Sequence, residues 1–383
     1  MNESILKKAN VFKKRVEWIN STILLLTFTL LLGSFFFDPS RNYLELVTLL
    51  TGLSVSLLAI LNIILTPSIL RTIIPVVIIA IGVLISGLFI ENFQSIYMYR
   101  VLTTLFAISI FVHLAIANKA RVIFKYISLL TLGYLFTISF GYYVSFLDAN
   151  SIVADPDAFT NPNTMGLMTL IIYIIVNKLT QKSNRILKFI LLIVAVVSLV
   201  NFESRTTLLC LALYILIPVL LTRLKSFKRY SRFVLITTIT VIAFLFPVIY
   251  VQSAINSSAN SELLGKPLYS GRQELWHDVM YEITTDNVVL SGSISQDLIA
   301  NSPSGGLHNM YVDMVYRAGL IFAMVVFLVL ILIFVRTKNL SNKTFAAACC
   351  ILVYGYTEAV FFGGTYLGMV MPFVFLKLES PDE

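Results

Sequence analysis

The stretch LIFAMVVFLVLILIFV, from Leu320 to Val335, runs for sixteen residues without a polar side chain. Runs of this kind recur from Ile19 almost to the C-terminus, and they approach the roughly 20 apolar residues with which a helix crosses the hydrocarbon core of a bilayer. No water reaches backbone N–H and C=O groups there, so a spanning segment must pair them within itself as a helix or close into a barrel. The runs are continuous and do not alternate as barrel strands do. The pattern therefore predicts an all-α, polytopic integral membrane protein. Only 13% of the 383 residues are charged, about half the share usual in a soluble domain.

Twelve spans are expected, near residues 19–37, 43–65, 70–90, 96–117, 122–147, 163–177, 187–201, 206–222, 233–251, 316–335, 344–362 and 364–378, in a single transmembrane domain covering 1–383. No small-residue cleavage site follows the first apolar run, which reads as a retained span. Cys210, Cys349 and Cys350 all fall inside apolar runs and read as small core residues with no disulfide.

Charge sets the orientation. The N-terminal tail, every second connection and the C-terminal tail together hold 22 of the 28 Lys and Arg. That bias makes their side cytoplasmic, with both termini there. The net charge of +8 is thus mostly a topology signal. It is spread through short loops and calls for no nucleic-acid partner. The remaining basic residues are Arg41, Arg100, Arg205, Lys266, Arg272 and Arg317. They lie on or just inside the outer side, where the topology rule disfavours them, and chemistry is sought there. Two outer loops are long, 148–162 and the larger 252–308.

Several helix starts face that side. In NFESRTTLL, Ser204 reads as the N-cap of the span that follows, and Arg205 stands beside the positive end of its dipole. In LYSGRQELWHDVMYEI, Ser270 and Gln273 have capping-box spacing, and Leu275, Trp276, Val279, Met280 and Ile283 form an apolar stripe. This predicts an amphipathic helix near 271–284 lying on the outer membrane surface, with Arg272 in its first turn and Trp276 as an anchor. An arginine at the positive end of a helix is mildly unfavourable, and two of them suggest a bound anion. The plain alternatives are that Arg205 pairs with Glu203 and that Arg272 is solvated.

In SPSGGLHNMYVDMVYRAGL, His308 and Asn309 precede the tenth span, and Asp313 and Arg317 can pair at i,i+4 spacing. In DAFTNPNTMGLM, Asn161 and Pro162 open the sixth span, and Asp155 and Asp157 bracket a proline. Two loop aspartates are a thin signal for a divalent cation, and no metal is assigned. Arg100 and Glu358, the latter in YGYTEAVFF, are charges set inside predicted spans. Such groups are usually paired or functional. Either they neutralise each other or Glu358 faces an arginine of the site.

With NPNTMG, SRTTLL, SGRQELW and HNMYVDMVYRAGL in this order, the chain resembles the O-antigen polymerase and ligase family. The likeness covers roughly 161–363. The resemblance implies a bacterial plasma-membrane glycosyltransferase of the C-type fold, with its active site outside the cytoplasm. It implies a donor glycan on polyprenyl diphosphate, an acceptor hydroxyl that attacks the anomeric carbon with inversion, and neither metal nor other cofactor. By the same resemblance Arg205 and Arg272 hold the diphosphate and His308 lies near the acceptor.

His308 and Glu358 are both candidate bases, and Arg100, Arg317, Asn161 and Asn309 are candidate supports. The expected partners are the lipid-linked oligosaccharide and other membrane proteins of polysaccharide export. Polymerase is preferred over ligase, because nothing in the outer loop singles out another acceptor. A secondary transporter or flippase using Arg100, Glu358 and Arg205 is disfavoured, as no inverted repeat is visible. An acyltransferase using His308 and Asp313 would leave the arginines without a role.

Overall fold

The computed structural model describes residues 3–37, 44–65, 73, 74, 77, 114, 116–147, 162–180, 184–224, 228–256, 262–263, 266–267, 272–285, 307–336 and 340–358. The described residues are helical apart from two two-residue strands and short connecting turns. The helices are α1 (Glu3–Phe37), α2 (Leu44–Leu65), α3 (Asn118–Leu147), α4 (Pro162–Leu179), α5 (Arg185–Asn201), α6 (Arg205–Arg223), α7 (Lys228–Asn256), α8 (Arg272–Thr285), α9 (Met310–Ala318), α10 (Leu320–Arg336) and α11 (Asn342–Tyr354). The strands β1 (Glu262–Leu263) and β2 (Lys266–Pro267) pair antiparallel. Among the described residues, three segments, Asn118–Gly141, Arg205–Arg223 and Tyr230–Ser253, are long and apolar enough to cross a membrane. Shorter apolar helices cover Gly52–Ile64, Asn163–Leu179, Leu320–Val335 and Asn342–Tyr354.

The described residues fall into two compact units. The first holds α1 to α5 and the opening turn of α6. Several of its buried polar groups are paired across helices, as an apolar setting favours. Asn20 and Asn62 exchange amide hydrogen bonds of 3.1 and 3.0 Å, the Ala117 N–H donates to Ser21 Oγ at 2.8 Å, and Asn201 donates to Ser139 at 3.2 Å. The α5–α6 turn closes with Ser204 N–H on Leu199 O at 3.1 Å while Glu203 takes a left-handed φ of 51°. A left-handed residue is the usual means of ending a helix.

This turn corrects the reading of Ser204 as an N-cap. Its hydroxyl is buried without a hydrogen-bond partner among the described residues and is pressed against Gly166 of α4, where an added Cβ would come within 2.5 Å of the Ser204 Cβ. The close approach of α4, rather than the needs of α6, fixes that side chain.

The second unit holds the rest of α6 and α7 to α11. At one end of α7, buried Arg232 donates to Leu340 O at 2.6 Å and Asn342 Oδ1 at 2.9 Å. Toward the other end an aromatic chain crosses the core. Its rings run from Phe327 to Tyr311 (4.7 Å), Tyr311 to Tyr356 (5.7 Å), Tyr356 to Phe246 (5.6 Å) and Phe246 to Trp276 (6.1 Å). Ala346, Ala347, Ala348, Cys349 and Cys350 are fully buried in succession, so more than one full turn of α11 is slim on all sides, which lets backbones approach closely. The thiols of Cys210 on α6 and Cys350 each donate to the other's carbonyl, at 3.2 and 2.9 Å.

Three further expectations are revised here. The tenth span is two helices, because Gly319 with φ 85° ends α9 before α10 begins. The eleventh does not continue as helix to 362: α11 stops at Tyr354, and turns carry the chain to Glu358. The apolar stripe of α8 lies on protein rather than on a membrane surface. Trp276 and Val279 are buried, and Val279, Leu275 and Ile283 pack with Leu307, Val312 and Tyr316. Trp276 Nε1 donates to Leu307 O at 2.6 Å, so the indole is an internal tether. The third, fourth and twelfth spans lie wholly or mostly outside the described residues, as do Arg41, Arg100, Asp155, Asp157, Asn161 and the Ser270 of the capping box.

Candidate active site

Two short segments meet in the second unit. One is 307–310, ahead of α9. The other is 354–358, beyond α11. Asn309 is fully buried and starts α9 as its N-cap. Its Oδ1 accepts from Tyr311 N–H and Val312 N–H, both at 2.9 Å, as expected of asparagine there. Its Nδ2 donates to Tyr356 O at 2.7 Å, and Met310 N–H donates to Gly355 O at 2.8 Å. A Cβ at Gly355 would lie 2.7 Å from Met310 Cε and 3.2 Å from Leu352 O, so the thioether would have to move aside. On the other side, Trp276 holds Leu307. His308 sits between these anchors with a left-handed φ of 48°.

Glu358 ends the second segment. Its Oε2 lies 2.9 Å from His308 Nδ1 and its Oε1 lies 3.1 Å from Arg272 Nη2. Arg272, the first residue of α8, also donates through Nη1 to Thr357 O at 2.5 Å. The three side chains are 15–19% exposed, sheltered but reachable. The cluster joins residues from three separate stretches, each held by its own backbone contacts. The guanidinium has five N–H donors in a fixed fork, and two of its nitrogens make these bonds. Tyr311 lies beneath, donating to Leu352 O at 2.9 Å. Burial pushes its hydroxyl well above the usual tyrosine range, so it acts as a neutral donor.

The structure therefore brings His308, Glu358, Arg272 and Asn309 together, and Glu358 faces an arginine as one expectation had it. Arg317 is taken up elsewhere, by Asp313 at 2.8 Å. Arg205 opens α6 in the first unit, whereas Arg272 belongs to the second. Arg100 and Asn161 fall outside the described residues.

Two participants went unforeseen in the sequence, the carbonyls of Tyr356 and Thr357. Backbone acceptors leave no compositional mark. The only hint was Gly355 in YGYTE, placed where another segment must come close. Among the described residues, no group of three or more His, Cys, Asp or Glu is gathered as metal ligands. No protein-family model matches the chain, and no curated protein matches its sequence.

Proposed function

We propose that the chain is a bacterial membrane glycosyltransferase. In this reading it moves a glycan from polyprenyl diphosphate to a sugar hydroxyl of another lipid-linked repeat unit, as a polysaccharide polymerase. The observation that carries the reading is the contact of Arg272, Glu358 and His308, with side chains from residues 50 and 86 positions apart. A transfer of this kind needs a cationic fork for the departing diphosphate and a nearby acceptor for the hydroxyl proton. Arg272 and His308 supply both.

The bond changes balance. The acceptor oxygen attacks the anomeric carbon from the face opposite the leaving group, and the proton of that hydroxyl passes to His308. The C–O bond to the diphosphate breaks with its electron pair, and the new anion is met by Arg272. A sugar hydroxyl is a weak acid, so proton transfer accompanies bond breaking.

Charge placement within the second unit supports an extracytoplasmic site. Arg232, Leu340 and Asn342 meet at one end, near the basic residues Lys228, Arg229, Arg336 and Lys343. The cluster lies at the far end of α11, whose 13 residues rise about 20 Å. If the basic end is cytoplasmic, Glu358 stands near the outer edge of the hydrocarbon core. The basic N-terminal tail follows the same bias.

The test uses the full chain in nanodiscs with the polyprenyl-diphosphate-linked oligosaccharide of the native cell. Wild type should lengthen the glycan. Arg272→Ala and His308→Ala should yield no product while the protein remains folded. Lengthening by Arg272→Ala at the wild-type rate would rule the reading out. A transporter would move the donor between leaflets of a vesicle and form no glycosidic bond. In a deletion strain, accumulated single repeat units indicate a polymerase and accumulated long chains a ligase.

A further inference from the structure

Both His308 and Glu358 are chemically able to accept a proton, but their contacts differ. Each Glu358 oxygen already faces a donor group: Oε1 the Arg272 guanidinium and Oε2 the imidazole Nδ1. His308 is engaged at Nδ1, and Nε2 has no hydrogen-bond partner among the described residues.

An ionised carboxylate only accepts hydrogen bonds. The hydrogen between Glu358 and His308 therefore belongs to Nδ1, and the partner at one ring nitrogen decides the state of the other. We infer that Glu358 is a positioning residue: it fixes the proton of His308 on Nδ1, presents Nε2 as the proton acceptor, and with its second oxygen holds Arg272 in register with the imidazole.

The backbone supports this assignment. The three residues before Glu358 are each held through a carbonyl: Gly355 by Met310 N–H, Tyr356 by Asn309 Nδ2 and Thr357 by Arg272 Nη1. Two of these donors flank His308 closely in sequence and the third is the arginine itself. The carboxylate is therefore carried on a turn fixed to the very groups that it aligns. A residue serving only to neutralise Arg272 would need no contact with Nδ1.

The consequence for catalysis rests on the proposed glycosyl transfer, but the tautomer does not, so the two can be judged apart. Full-length protein labelled with 15N-histidine contains three histidines, His113, His277 and His308, and loss of a signal in His308→Gln assigns the third. At pH 7.5 the wild-type His308 should show a protonated Nδ1 and a bare Nε2. Arg272→Gln should keep that pattern, because the Glu358–His308 contact remains. Glu358→Gln should shift it toward protonated Nε2, since a glutamine amide can donate to Nδ1. In the transfer assay Glu358→Gln should lower kcat by up to about ten-thousandfold, the scale of loss when the carboxylate that orients a general-base histidine becomes an amide.

A bare Nδ1 or a doubly protonated ring in wild type overturns the assignment. So does a Glu358→Gln spectrum like that of wild type, or an unchanged kcat in that variant. If wild type transfers no glycan, the proposed reaction falls, and the wild-type spectrum decides the role of Glu358 by itself.

Discussion

Replacing Asn309 tests whether the candidate site depends on a single buried amide. Three hydrogen bonds end on this side chain, two at 2.9 Å from the first turn of α9 and one at 2.7 Å to Tyr356 O. Asn309→Ala removes the cap, a loss of about 1 kcal/mol. It also strands the Tyr356 carbonyl, whose bond to Asn309 is buried, for about 1–3 kcal/mol more. The total should be near 3 kcal/mol. Asn309→Ser can still cap α9 but is too short to reach Tyr356, so it should keep the cap contribution and show about two thirds of that loss.

Trp276 provides the readout, because its indole is bonded to Leu307, two residues before Asn309. The only other tryptophan is Trp18, so a Trp18→Phe background makes emission specific to this region. Denaturant unfolding in detergent should give midpoints in the order wild type, Asn309→Ser, Asn309→Ala. A change below about 0.5 kcal/mol for alanine, the level of an ordinary surface substitution, would refute the argument. Equal losses for the two variants would refute the part played by the cap, and no loss in Asn309→Ser would refute the part played by Tyr356.

Two other substitutions follow from the packing. Ser204→Ala should be neutral or stabilise by up to about 1 kcal/mol, because it removes a buried hydroxyl that lacks a partner. An N-cap serine would instead lose about 1 kcal/mol, so the sign of the change in unfolding midpoint separates the two accounts. Trp276→Phe should destabilise by about 2–3 kcal/mol, since Leu307 O loses its donor and the ring cluster loses volume. The check is circular-dichroism melting of α8 to α11, and a purely lipid-facing tryptophan would give almost no change.

Local rules made much of the helical pattern readable. The starts of α4 at Pro162 and of α9 after Asn309 follow from fixed φ and cap chemistry within a few residues. The extent of α8 was readable from its stripe. What covered the stripe was not, because periodicity says only that something apolar lies against one face. Lipid and protein are alike in that respect, and the Leu307 carbonyl that claims Trp276 is 31 residues away.

Ser204 shows the same limit. Its cap signature is local, whereas the Gly166 contact that overrides it comes from another helix. In the candidate site, His308, Glu358 and Arg272 could each be picked out as ionisable groups in unusual places. That one carboxylate serves the other two could not be, because the contact depends on where α11 stops and how its last carbonyls are held.

Backbone strain offers an independent line on the role of His308. Among the described non-glycine residues, Glu203 and His308 have positive φ, 51° and 48°. Glu203 follows the end of α5, where a left-handed residue closes the helix. His308 directly precedes an N-cap, and no such need applies. A left-handed residue with a Cβ is strained by about 1–2 kcal/mol, so glycine should be easier to accommodate here than any other side chain. Part of that gain, about 0.4–1 kcal/mol, is offset by the freedom glycine has in the unfolded chain. His308→Gly should therefore be as stable as His308→Ala or more so by up to about 1 kcal/mol in the same unfolding assay, although both lack the imidazole. If alanine proves the more stable, the left-handed backbone at 308 is not strained. If glycine does and transfer is still lost, the imidazole is kept where the backbone alone would prefer no side chain, as expected of a group held for chemistry.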